Sequence, residues 1–205
     1  MITPIFVFTI FMLTLGPIKT VPGFYLMTRD QDARAARALA IRGTLIATAI
    51  SLLVALVMRG TAAAWQVSLD ELRIAGGILL FVASRNIIEQ FNRPVPPAPP
   101  PSPHPAVTPL AIPIIVTPWG VVAILLFVGA AAGDPARIAV VIGILLLTMA
   151  LNLVGMLLAR QIIGLVGFVT FQVVGWVFAV LQAGLAVEAV VVSLRHLGLF
   201  RPGPG

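Results

Sequence analysis

The 205 residues contain no cysteine, only two histidines, and few charges: 13 basic and 7 acidic side chains make up 10% of the chain. Without cysteine there is no disulfide, no thiolate nucleophile and no Cys-based metal site. His104 sits in a proline run and His196 in the tail, neither with metal-ligand company, so no metal and no cofactor is expected. The patterns H-E-x-x-H and G-x-S-x-G do not occur. No His, Asp or Glu lies mid-segment to activate Ser51 or Ser84, so an enzyme is not expected. The net charge of +6 rests on twelve arginines and one lysine, Lys19. The arginines cluster at segment ends and form no basic face interleaved with aromatics, so nucleic acid is not an expected partner.

Apolar surface is abundant: 60% of residues are hydrophobic and the mean hydropathy is +1.09. A soluble domain carries roughly 25% charged residues, so the expected solvent, and main partner, is a lipid bilayer. One crossing needs about 20 apolar residues, and six crossings with short turns use nearly the whole length. The apolar N-terminus lacks a basic n-region and a small-residue cleavage site, so it reads as a retained first helix.

Six segments are expected, near residues 2–28, 38–58, 68–91, 107–132, 136–159 and 164–194. Ser68 reads as an N-cap, with Asp70 and Glu71 in the first turn of the third. Arg93 to Ala106 holds eight prolines and is expected to be an extended spacer rather than a helix. The organisation is a first three-helix unit (1–91), a linker (92–106), a second unit (107–194) and a tail (195–205). Placing the N-terminus outside puts seven arginines on the inner side (29, 34, 37, 42, 85, 93, 160) and five outside (59, 73, 137, 195, 201). That balance favours both termini in the periplasm of a bacterial inner membrane.

The two units share a feature. GPIKTVP has Pro17 and Pro22, and IPIIVTP has Pro113 and Pro118, with the same spacing and a displacement of 96. Ile18 and Ile114 follow the first proline of each pair. A weaker echo sets Arg73 and Gly76 against Gln172 and Gly175. Three crossings per unit is an odd number, so the second unit is inverted relative to the first. The expected fold is therefore an all-α membrane protein of six helices in two inverted three-helix repeats, with the first and fourth broken at prolines. The prolines free the carbonyls of Leu13, Ile18, Pro109 and Ile114, and unpaired backbone survives at membrane depth only where it is buried in protein or lines a wet cavity. Half-helix N–H groups for a carboxylate, and freed carbonyls for an ammonium, would suit a small zwitterion.

Lys19 lies about 15 Å from the charged end of its segment at 1.5 Å per residue, near the midplane, where a charge usually lines a functional cavity. It reads either as the partner of an anionic group on a substrate or as a lysine paired internally with freed carbonyls or with Glu188. Asn152 and Thr148, one turn apart, read mainly as interhelical hydrogen-bonding residues, and the glycines as packing positions. The indole N–H of Trp119 needs a partner at its depth.

GPIKTVP, SLDELRIAGGILLFVASR, PLAIPIIVTPWG and GLVGFVTFQVVGWVFAVLQAGL resemble, in order and spacing, the MarC family of bacterial membrane proteins, over nearly the whole chain except the linker and tail. The resemblance implies six helices and, for some members, transport of small neutral amino acids. The chain departs from the family pattern at Gly16, Lys19 and Thr20 in the first motif, at Val116 to Trp119 in the fourth segment, and at Gln172 in the last. The expected substrate-binding residues are Pro17, Lys19, Thr20, Pro22, Pro113, Thr117, Pro118 and Trp119. The leading expectation is a secondary transporter of a small polar metabolite; a non-transporting membrane scaffold or lipid-handling protein is the alternative. Homo-oligomerisation is left open.

Overall fold

The computed structural model describes residues 3–64, 68–91 and 103–199, and among them every regular element is a helix. Proline sets where several of these helices begin. Its missing N–H costs nothing at the first helical position and its fixed φ suits the turn. Accordingly α1 (Pro4–Thr14), α2 (Pro17–Thr28), α5 (Pro118–Ala130) and α6 (Pro135–Leu157) all start on proline. Thr3, Thr117 and Asp134 supply side-chain caps to three of them, whereas Gly16 supplies none to α2.

The long helix α3 spans Ala33–Ala64 and α4 spans Leu69–Phe91. α4 opens on a reciprocal capping box: the Ser68 N–H donates to Glu71 Oε2 (2.8 Å) and the Glu71 N–H to Ser68 Oγ (3.2 Å). Between α4 and α5, Ala106–Ile115 forms a distorted, wide helical segment. Thr108 and Ile112 leave the helical region (φ −130°, ψ 122° and 123°), as expected for residues that precede proline. A short helix, α7 (Ala159–Val166), bridges the end of the fifth expected segment and the start of the sixth, and α8 (Phe168–His196) makes up the rest of the sixth after Gly167, which has a positive φ of 79°.

Four spans are long and apolar enough to cross a membrane: Pro4–Thr28, Ala33–Val57, Pro135–Leu157 and Val169–His196. Ala106–Ile115 and Pro118–Ala130, bent by 61°, make a fifth if taken together. The protein is thus a multi-pass membrane protein with four to five such spans among the described residues. α4, which carries Asp70, Glu71, Arg73, Arg85 and Glu89, is not among them. It packs antiparallel along α8, where a Cβ on Gly77 would sit 2.7 Å from the Ala186 carbonyl oxygen. The expected proline spacer falls largely outside the described residues.

The core lies where α1, α3, α5, α6 and the 106–115 segment converge, on Phe11, Leu110, Ile115, Ile124, Leu145 and Met149, all buried. Phe127 packs edge-on against Phe11 and Phe6, with centroids at 5.5 and 5.9 Å. Large apolar side chains face outward on α3, α4, α6 and α8, among them Leu53, Phe81, Leu147 and Val180. A surface that apolar belongs in hydrocarbon.

Candidate functional site

Two chain breaks meet at the centre of the fold. In the first, Leu15 and Gly16 interrupt the helix ahead of Pro17, because the Pro17 ring clashes with a helical carbonyl four residues back. In the second, Val116 and Thr117 leave the helix ahead of Pro118. The break positions refine the sequence expectation. Pro22 does not break its helix but lies buried inside α2, whereas Pro113 follows the non-helical Ile112 at a kink within the 106–115 segment. Pro17 and Pro118 are each the first residue of a resumed helix. The equal spacing of the two proline pairs therefore joins positions with different roles.

Thr117 ties the breaks together. Its hydroxyl donates to the Thr14 carbonyl of the first break (3.0 Å) and accepts from the Gly120 N–H (3.1 Å), capping α5. It also accepts from Lys19 Nζ at 3.0 Å. Leu15 packs closely on Gly120, where a Cβ would lie 2.1 Å from Leu15 Cδ2 unless that side chain shifted. The Leu15 carbonyl is satisfied from a third direction by Asn152 Nδ2 of α6 (2.6 Å). Asn152 therefore hydrogen-bonds between helices as expected, whereas the Thr148 hydroxyl bonds within α6, to the Ile144 carbonyl (2.9 Å).

Beside this knot lies a cavity of about 430 Å³. Of the eight expected site residues, Lys19, Pro22, Pro113, Thr117, Pro118 and Trp119 line it; Pro17 and Thr20 do not. Thr20 is buried and its hydroxyl bonds to the Gly16 carbonyl (3.0 Å). Pro17 approaches α6, its Cβ 3.1 Å from where a Cβ on Gly155 would stand. The far wall is formed by Asn86 of α4 and by Gln172, Gly175 and Gln182 of α8. Asn86 and Gln182 were not expected from the sequence; Gln182 is a lone amide in an apolar run, whereas Asn86 sits among polar neighbours and carries no such signal.

Gln182 is buried and its Nε2 donates to the Leu80 carbonyl at 3.1 Å. Leu80 lines a second cavity of about 320 Å³, which Arg73, Glu188 and His196 also border. One layer of packed side chains thus separates two cavities along the α4–α8 pair. Glu188 belongs to this second cavity and is not the partner of Lys19. At the end of the fold nearer the first cavity, Arg160 of α7 donates to the carbonyls of Thr28, the last residue of α2, and of Gln31 just beyond it. A cation is favoured at a helix C-terminus. At the opposite end, Asp70 pairs with Arg73 (3.1 Å) and His196 (3.2 Å), joining the start of α4 to the end of α8.

Among the described residues, no group of three or more His, Asp or Glu side chains is placed to hold a metal ion. The arrangement offers one ammonium, hydroxyls, amides and an indole N–H in an otherwise apolar chamber.

No match to the chain was found among curated proteins or solved structures. The family model described as MarC family integral membrane protein matches residues 2–197. The chain belongs to that family.

Proposed function

We propose that this MarC-family chain is a secondary transporter, working as an exporter or exchanger, for a small polar metabolite that carries a carboxylate. Neutral amino acids are the class its family resemblance suggests. The observation that carries this reading is the cavity of about 430 Å³ bounded by both helix breaks, with Lys19 and Thr117 in its wall. Ligand cavities typically run to about 300–1,000 Å³ with a few convergent polar groups, and transporters place theirs at interrupted helices.

Six crossings in two inverted repeats fit the arrangement. Going from the second cavity to the first, residue numbers rise along α1 and α4 and fall along α5 and α8. Helices that resume at Pro17 and at Pro118 then occupy corresponding places in oppositely directed units. The outward apolar face of α4, including Ile78 and Phe81, supports counting it as the third crossing despite its charges. The two cavities, divided by the Gln182–Leu80 layer, suit an alternating path. Arg160 lies against the same turn that holds Arg29 and leads to Arg34 and Arg37. Gathering these arginines on one side supports a cytoplasmic face there, in the inner membrane, with both termini periplasmic.

One observation favours the rival reading, a non-transporting scaffold or lipid-handling protein: the Thr14 and Leu15 carbonyls are plugged by Thr117 and Asn152. The test is exchange in proteoliposomes holding the purified chain, run against a radiolabelled panel of small amino acids and carboxylates. The transporter reading expects counterflow of at least one solute, reduced in Lys19→Ala. No uptake or exchange across the panel would leave the scaffold.

A further inference from the structure

The lining of the first cavity contains one cationic side chain and no carboxylate. Its polar groups are Lys19, the Thr14 and Thr117 hydroxyls, the Trp119 indole, and the amides of Asn86, Gln172 and Gln182. The nearest acid along α4 is Glu89, which is paired with Arg85 at 2.7 Å. The other described acids stand at the α2–α3 turn, at the starts of α4 and α6, or in the second cavity. Nothing in this chamber would neutralise a second positive charge.

Lys19 is also incompletely served. An ammonium has three donors, and one of them goes to Thr117 Oγ1 at 3.0 Å. The Thr117 hydroxyl is itself committed to the Thr14 carbonyl and the Gly120 N–H. A charge at this depth is costly without a counter-charge, and no carboxylate among the described residues lines the cavity. The two carbonyls nearest the first break, those of Thr14 and Leu15, already accept from Thr117 and Asn152. Each therefore has only one lone pair left to offer a ligand ammonium.

Resting on the transport-site reading above, we infer that this cavity selects a small organic monocarboxylate with an apolar body, an anion rather than a zwitterion. The carboxylate takes the Lys19 ammonium and the neighbouring amide and indole N–H groups. The apolar body lies against wall residues such as Leu13, Ile18, Ile87, Ile114 and Phe178. An amino acid of the same shape would bring its ammonium beside Lys19 with no acid to receive it, and like charges in a poorly solvated chamber repel.

The test compares three probes on one carbon skeleton: 3-methylbutanoate, leucine and 3-methylbutylamine. Binding to the purified full chain in detergent is measured by calorimetry, with counterflow in proteoliposomes scored separately. The expected result is 3-methylbutanoate binding at least tenfold tighter than either of the others. Lys19→Gln should lose tenfold or more for the anion alone, and Lys19→Arg should keep most of it. The ranking of probes on the unaltered protein stands even where a variant fails to fold. Leucine binding as tightly as the anion, or no binding of the anion at all, would overturn the inference. Leucine counterflow in that event would leave the transporter reading intact. Anion binding that depends on Lys19, without counterflow of any solute, would uphold the inference and overturn transport.

Discussion

The two breaks border one cavity, yet they are built differently. The first joins a regular helix, Pro4–Thr14, to one that resumes at Pro17 without a side-chain cap. The second joins a distorted segment to a helix capped by Thr117. Aligning Pro17 with Pro118 sets Lys19 opposite Gly120 and Ile18 opposite Trp119. The first break therefore carries the charge. The second carries the hydroxyl that holds that charge and the glycine that admits Leu15. The two breaks thus contribute different chemistry to the cavity they share, and a ligand meeting both would bind in one orientation.

The comparison predicts unequal costs of substitution. The largest belongs to Gly16→Ala, whose new Cβ would lie 2.2 Å from the Met12 carbonyl oxygen. Backbone must move to relieve that clash, so a loss of about 3 kcal/mol is expected on denaturation in detergent micelles. Thr117→Val comes next, at about 2 kcal/mol, because it removes the α5 cap and leaves the Thr14 carbonyl without its donor; Thr117→Ser should recover most of that loss.

Asn152→Ala strips the Leu15 carbonyl of its partner and should cost about 1.5 kcal/mol. Gly120→Ala should be the mildest of the four, about 1 kcal/mol. Its Cβ would meet the tip of Leu15, a side chain that can shift, rather than backbone. Equal losses for Gly16→Ala and Gly120→Ala, read as thermal midpoints side by side, would break the contrast between the breaks.

Much of the fold was legible because proline, glycine and capping residues act locally. Ser68 and Glu71 announced the start of α4, and the prolines at 17 and 118 announced resumed helices. What escaped was decided by distance in space. Pro22 sits inside α2 because one missing N–H is tolerated when packing holds the helix, which its neighbours alone do not reveal. Gly167 divides the last segment through its positive φ, a state that glycine permits but does not require. For the site, Lys19, Thr117 and Trp119 stood out as polar groups next to prolines. Asn86 and Gln182 come from helices far along the chain, and no local pattern says which face of α4 or α8 meets the cavity. The Thr117 bridge to Thr14 spans 103 residues, and no spacing rule anticipates it.

The absence of cysteine makes the most direct test clean. Single cysteines at Ile87 and Phe178 in the cavity wall are compared with Leu147 on the outer apolar face and with Leu145 in the core. Each is exposed in proteoliposomes to a membrane-impermeant, negatively charged thiosulfonate. A water-filled binding cavity at the two breaks predicts modification of Ile87→Cys and Phe178→Cys at least tenfold faster than of Leu147→Cys or Leu145→Cys, from one side of the membrane, and slower once Lys19 is replaced by Gln. Cavity cysteines as inert as those facing lipid or core would contradict the account.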